Sequence, residues 1–133
     1  MKDTIIKVRG YHLDIYQHVN NARYLEFLEE ARWALFDDSG ALKLLGQKNW
    51  GFAVVNININ FRRAATMGDI LRINTKFGDF SSKSGTLTQT ITNLKTEKIM
   101  TEAQITYVIL DLNTNRALPI NEEIRTILNT VIS

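Results

Sequence analysis

The sequence predicts an α+β fold in which one long helix covers one face of an antiparallel sheet. Three features carry that expectation. Tyr24, Leu28, Ala31 and Leu35 recur at helical spacing and form one apolar stripe. Four strand-like segments follow between residues 53 and 110, with no long helix among them. The connections between those segments are short and polar, which suits antiparallel neighbours rather than parallel crossovers. One domain over residues 1–133 accommodates the whole pattern.

Each element has a local reason. Thr4 to Arg9 alternates loosely and predicts a first strand with Ile6 and Val8 on one face; Gly10 ends it. Residues 11–19 carry no period and read as a loop. Asn20 or Asn21 caps the following helix through its side-chain oxygen. Phe27 and Ala34 widen the apolar stripe, while Arg23, Glu26, Glu29 and Glu30 lie largely opposite. Glu29 and Arg32, three residues apart, are expected to pair. The helix should stop between Asp37 and Gly40, before a short second helix over Ala41 to Lys48.

The strands come next. Ala53 to Phe61 alternates cleanly, setting Val55, Ile57, Ile59 and Phe61 against Asn56, Asn58 and Asn60. The asparagine face should meet water or another subunit. Met67-Gly68-Asp69 turns into a strand over Ile70 to Phe77, with Leu71, Ile73, Thr75 and Phe77 on one side. Gly78 to Gly85 reads as a polar turn region. Thr86 to Leu94 sets Leu87 and Ile91 against threonines, and Lys95 to Lys98 turns the chain. Ile99 to Leu110 is apolar on both faces, as expected of a strand in the centre of a sheet or at an interface. After a turn at Asn113-Thr114-Asn115, Pro119 precedes a C-terminal helix, Glu122 to Val131, with Ile124, Leu128 and Val131 spaced for burial.

Composition narrows the function classes. The chain is 44% hydrophobic and 23% charged, ordinary for a soluble globular protein. No apolar run approaches a membrane span. The start, MKDTIIKVRG, lacks the apolar core and cleavage site of a signal peptide. There is no cysteine, hence no disulfide and no thiolate nucleophile. A reducing, cytoplasmic setting is the expectation. With only His12 and His18, a zinc site is not expected. The pI is near 9.0, but the net charge of +2 is too small to argue for nucleic acid. It is compatible with a phosphate-bearing small molecule.

The stretch Asp14-x-x-x-His18-Val19-Asn20-Asn21-x-x-Tyr24, followed by Leu25-Glu26-Phe27-Leu28-Glu29-Glu30-Ala31-Arg32, resembles the signature of hotdog-fold acyl-CoA thioesterases. The branch is that of 4-hydroxybenzoyl-CoA thioesterase and YbgC, and the chain most resembles its FadM-type long-chain members. The run Val54 to Arg63 and the Gly68-Asp69 turn extend the likeness over nearly the whole chain. The resemblance implies a sheet wrapped around the long central helix. It implies an obligate homodimer, or a homotetramer, with active sites between subunits. It implies hydrolysis of long-chain fatty acyl-CoA to fatty acid and CoA, linked to fatty-acid β-oxidation, with no metal or cofactor. Its catalytic acid falls on Asp14. Many relatives carry aspartate at the position of His12 and glycine at that of Gln17, and often proline at that of Ala64.

The residues bear this reading in different degrees. From residue types alone, Asp14 reads first as a turn residue or helix-dipole partner, because aspartates before helices are common. The resemblance makes it a nucleophile or a general base. His18 contacts the thioester or orients Asp14, or else is a structural histidine bonded to the loop backbone. Tyr24 lies on the apolar face, where a core role precedes any role in lining the acyl site. Arg62 and Arg63, with Arg72 and Lys83, are candidates for CoA phosphates, against the plainer reading of a solvated basic strand end. Trp33, Phe36, Trp50 and Phe52 read as core aromatics that could also shape an acyl tunnel. Backbone N–H groups at the helix start are the expected oxyanion donors. No serine stands in a nucleophile-elbow setting. The competing functions are a hotdog enoyl-thioester hydratase or dehydratase using Asp14 with His18, and a non-catalytic acyl-CoA-binding module.

Overall fold

A computed structural model describes residues 3–132. Strand β1 (Thr4–Lys7) leads through a single 3-10 turn (Gly10–His12) to the long helix α1 (Asn21–Ser39) and the short α2 (Ala41–Gln47). Strands β2 (Trp50–Phe61), β3 (Ile70–Phe80), β4 (Gly85–Asn93), β5 (Ile99–Asp111) and β6 (Arg116–Leu118) follow, and helix α3 (Glu122–Ile132) closes the order. The sheet runs β1-β3-β4-β5-β2, all antiparallel, with β6 added to the end of β5.

The alternation of the strands explains the packing. Leu71 and Ile73 of β3, Leu87 and Ile91 of β4, and Ala103, Ile105, Tyr107 and Ile109 of β5 point to one face. They form a single core with Tyr24, Phe27, Leu28, Ala31 and Leu35 of α1, so the sheet wraps around that helix. Helix α3 seals the core with Ile124, Ile127, Leu128 and Val131. The α1 stripe starts at a cap, the Asn20 side chain accepting from the Ala22 N–H at 2.9 Å. It ends at Gly40, whose φ of 74° turns the chain into α2.

Four local expectations are corrected. Strand β2 begins at Trp50, and its register shifts between Val54 and Asn56. A bulge there turns Val55 outward, 58% exposed, because one extra residue faces β5. Phe52 and Val54 pack inward before it, and Ile57 and Ile59 after it. The region between β3 and β4 shrinks to residues 81–84, since both strands continue through Gly78 and Gly85. A side chain at Gly85 would collide with the Tyr107 ring lying across it. The short strand β6 carries too few residues to show a period. Glu29 and Arg32 do not pair: the Arg32 guanidinium turns inward to Gln89, and Glu29 accepts from the Trp33 indole instead.

No helix among the described residues is long and apolar enough to cross a membrane.

Candidate active site

The segment between the 3-10 turn and α1 is pinned at both ends. Leu13 and Val19 bridge across it, and the Asp14 N–H donates to the His18 carbonyl at 2.8 Å. The Asn20 N–H donates to the His12 carbonyl at 2.9 Å, and the Val19 N–H to the Ala65 carbonyl at 2.9 Å. His12 is buried beneath the loop, its Nδ1 accepting the Arg9 N–H at 2.8 Å and its ring edge-on to Phe27. Burial, with Arg23 and Arg9 nearby, holds this imidazole below the usual histidine range, and Glu26 opposes them.

Asp14 stands in the middle of that loop, half-buried. Its Oδ1 accepts the Tyr16 N–H at 2.9 Å and the His18 N–H at 3.3 Å. The loop backbone thus fixes one carboxylate oxygen, and no donor among the described residues reaches the other. The backbone of His18 does this holding. Its ring is exposed and makes no hydrogen bond among the described residues.

The structure brings Asp14, His18, Tyr24, Arg62 and Arg63 together around one cleft of about 230 Å³. Asn21, the first residue of α1, also lines it. A first-turn N–H has no acceptor within its own helix, so that helix start offers a donor and the positive end of the dipole. Tyr24 joins the two walls: its buried hydroxyl accepts the Ala65 N–H at 3.0 Å. Burial raises its pKa, while the Ala65 bond pulls the other way. Arg62 is committed to Glu102 at 2.6 Å, whereas among the described residues the Arg63 side chain makes one bond, to the Ile99 carbonyl at 3.1 Å. Arg72 sits elsewhere, beside Asp3 at 3.7 Å, and Lys83 lies in the β3–β4 turn. Among the described residues no three acidic or histidine side chains are grouped to hold a metal ion.

The family model of the thioesterase-like superfamily matches residues 8–128. The chain belongs to that superfamily. Similar relatives of this thioesterase-like protein include the long-chain acyl-CoA thioesterase FadM of Escherichia coli (strain K12), 51% identical over 92% of each chain. Among solved structures, the probable thioesterase YbaW from Escherichia coli superposes with a TM-score of 0.93 at 48% identity, over 98% of each chain. The hypothetical protein SAV2348 from Staphylococcus aureus, solved in complex with CoA, shares the fold. It has a TM-score of 0.84 at 14% identity, over 98% of this chain and 82% of that one. The wrapped sheet and central helix are therefore the hotdog fold of the thioesterases.

Two residues of this thioesterase-like site escape sequence reasoning. Asn21 reads as a cap candidate or as a residue that holds the loop around Asp14, because nothing local says which groups its backbone will face. Phe61 reads as an inward strand residue, yet it stands at the end of β2, 44% exposed, its ring 5.5 Å from Tyr24. Aromatic residues at strand ends give no signal of their own.

Proposed function

We propose that this protein is an acyl-CoA thioesterase that hydrolyses long-chain fatty acyl-CoA, with Asp14 as the reacting carboxylate. One observation carries the reading: a carboxylate held by two loop N–H groups shares a cleft with the start of α1. The 51% identity to a long-chain acyl-CoA thioesterase supports the substrate class. The fold neighbour solved with CoA supports a CoA thioester.

The thioester carbonyl lies against the helix start, where the Asn21 N–H stabilises the developing oxyanion. In one route an Asp14 oxygen bonds to the carbonyl carbon, the C–S bond breaks, and CoA leaves as thiolate. Water then opens the mixed anhydride and restores the carboxylate. In the other route Asp14 takes a proton from water as the water attacks, and the departing thiolate receives a proton. The exposed His18 ring is free to meet the thioester. Arg63, with donors left over, is the better placed arginine for CoA phosphate. Tyr24 acts as a positioning residue that ties the two walls together. The molecule works as a homodimer or homotetramer, a reading supported by the open outer edge of β2 among the described residues. A role beside fatty-acid β-oxidation follows the resemblance.

Thiol release from acyl-CoAs of graded chain length tests this directly. The chain has no cysteine, so a thiol reagent reports only freed CoA. Long chains should be cleaved by wild type, and Asp14→Asn should lose about 100-fold or more in turnover while keeping its fold. Release that survives the substitution removes Asp14 from the mechanism.

A further inference from the structure

A second cavity, of about 300 Å³, lies between α1, α2 and β2. That volume is at the lower end for small-ligand pockets. Its main lining residues are Trp33, Phe36, Leu42, Phe52 and Val54, and one cation stands among them. Arg32 is 8% exposed and lines this cavity. It sits eight residues along α1 from Tyr24, or about 12 Å, and this space shares no lining residue with the Asp14 cleft.

Among the described residues no anion pairs with this buried guanidinium. Its Nη1 donates at 3.0 Å to Oε1 of Gln89, a neutral amide. Gln89 is itself held in the core by its Nε2, which donates to the Leu28 carbonyl and to Oγ1 of Thr75, each at 3.0 Å. The acid at the rim is Glu29, whose exposed carboxylate accepts from the Trp33 indole at 3.1 Å. It makes no ion pair with Arg32 within 4.0 Å. Burial draws the Arg32 pKa down and Glu29 pushes it back, and guanidinium stays charged in proteins. A buried charge is costly unless paired, and the remaining forked donors match a carboxylate.

We propose that this cavity binds a free long-chain fatty acid, its carboxylate on the Arg32 guanidinium and its first methylenes against the aromatic walls. The cation selects a small planar anion, and the apolar walls select a hydrocarbon body. A CoA phosphate would bring too much polar surface to the same walls. The inference rests on the proposed reaction only in that a fatty acid is its product; binding itself requires no turnover.

Calorimetric titration of wild type with dodecanoate and with dodecan-1-ol tests it. The acid should bind saturably, and the alcohol about 10- to 100-fold more weakly, the size of a charge-assisted hydrogen bond. Arg32→Met should weaken acid binding by a similar factor. Glu29→Gln should strengthen it, and Asp14→Asn should leave it unchanged. Equal affinity for acid and alcohol overturns the proposal, as does acid binding that ignores Arg32→Met. Should Arg32→Met not fold, the acid–alcohol comparison on wild type and Glu29→Gln decides alone. Absent acid binding, with self-association weakened by Arg32→Met, would make the occupant a carboxylate of a second copy and overturn the proposal. Normal turnover in Asp14→Asn would overturn the catalytic assignment and leave this site standing if dodecanoate still binds.

Discussion

Gln17 adopts a φ of 62°, a left-handed backbone that costs a residue with a side chain about 1–2 kcal/mol. The strain has a visible use. The Gln17 N–H closes on the Asp14 carbonyl at 3.1 Å and turns the loop so that the His18 N–H reaches the carboxylate. Gln17→Gly should relieve it and stabilise the fold by up to about 1 kcal/mol, the gain reduced by glycine's greater freedom in the unfolded chain. Thermal unfolding measures this; a lower Tm would mean that the Gln17 side chain contributes packing that outweighs the strain. His12, one turn away, links the same loop to pH. Its folded pKa lies below the ordinary 6.5, so just below pH 6.5 the unfolded chain binds more protons than the folded one. Stability should therefore fall as pH drops from about 6.5 toward the depressed folded value. Asn keeps an acceptor for the Arg9 N–H and does not titrate. Urea midpoints of His12→Asn should thus be flatter over that window, and an unchanged slope would remove His12 as its source.

At the level of elements, α1 is attached to the sheet by polar as well as apolar contacts. Gln89 of β4 is fully buried and bonds at once to Arg32, the Leu28 carbonyl and Thr75 of β3. Strand alternation assigns position 89 to the core face, and a glutamine there is tolerated because every arm of its amide is satisfied. Gln89→Leu would leave the guanidinium buried with no hydrogen-bond partner among the described residues. The expected loss is about 3 kcal/mol, read from denaturant unfolding. A loss below about 1 kcal/mol would mean that Arg32 finds another partner, with Glu29 the nearest candidate. The bulge at Val55 is the other element-scale device. It lets β2 keep Phe52 and Val54 under α1 while Ile57 and Ile59 still meet Ile105 and Ala103.

For the whole molecule, the consequence of the strand order is an unpaired edge. Strand β2 is long and, among the described residues, pairs on one side only, with β5, and an open edge is a template for another strand. The asparagines beside it, Asn56, Asn58 and Asn60, are exposed on the outer face of the sheet. Light scattering should therefore report a dimer or a larger even assembly. A monomer with full turnover would overturn the homodimer reading and the assignment of the site to a subunit interface.

What the sequence determined by itself is what depends on near neighbours along the chain. A cap at Asn20 or Asn21, the stripe through Tyr24 and Leu28, the alternation of β3 and β4, and the turn at Gly68 follow from spacing and side-chain type; which asparagine caps was left to the fold. Asp14 was legible as a polar group before a helix, and its catalytic reading came from the pattern of residues through Tyr24. Tertiary structure decided the rest, because contacts between distant segments have no local signal. It turned Arg32 away from Glu29 toward Gln89, since a helix spacing cannot say which strand lies beneath. It expelled Val55, because a bulge is defined only against the partner strand. It carried Arg62 and Arg63 to Asp14 through the bonds of Ala65 to Val19 and Tyr24, closing a cleft that neither segment contains alone.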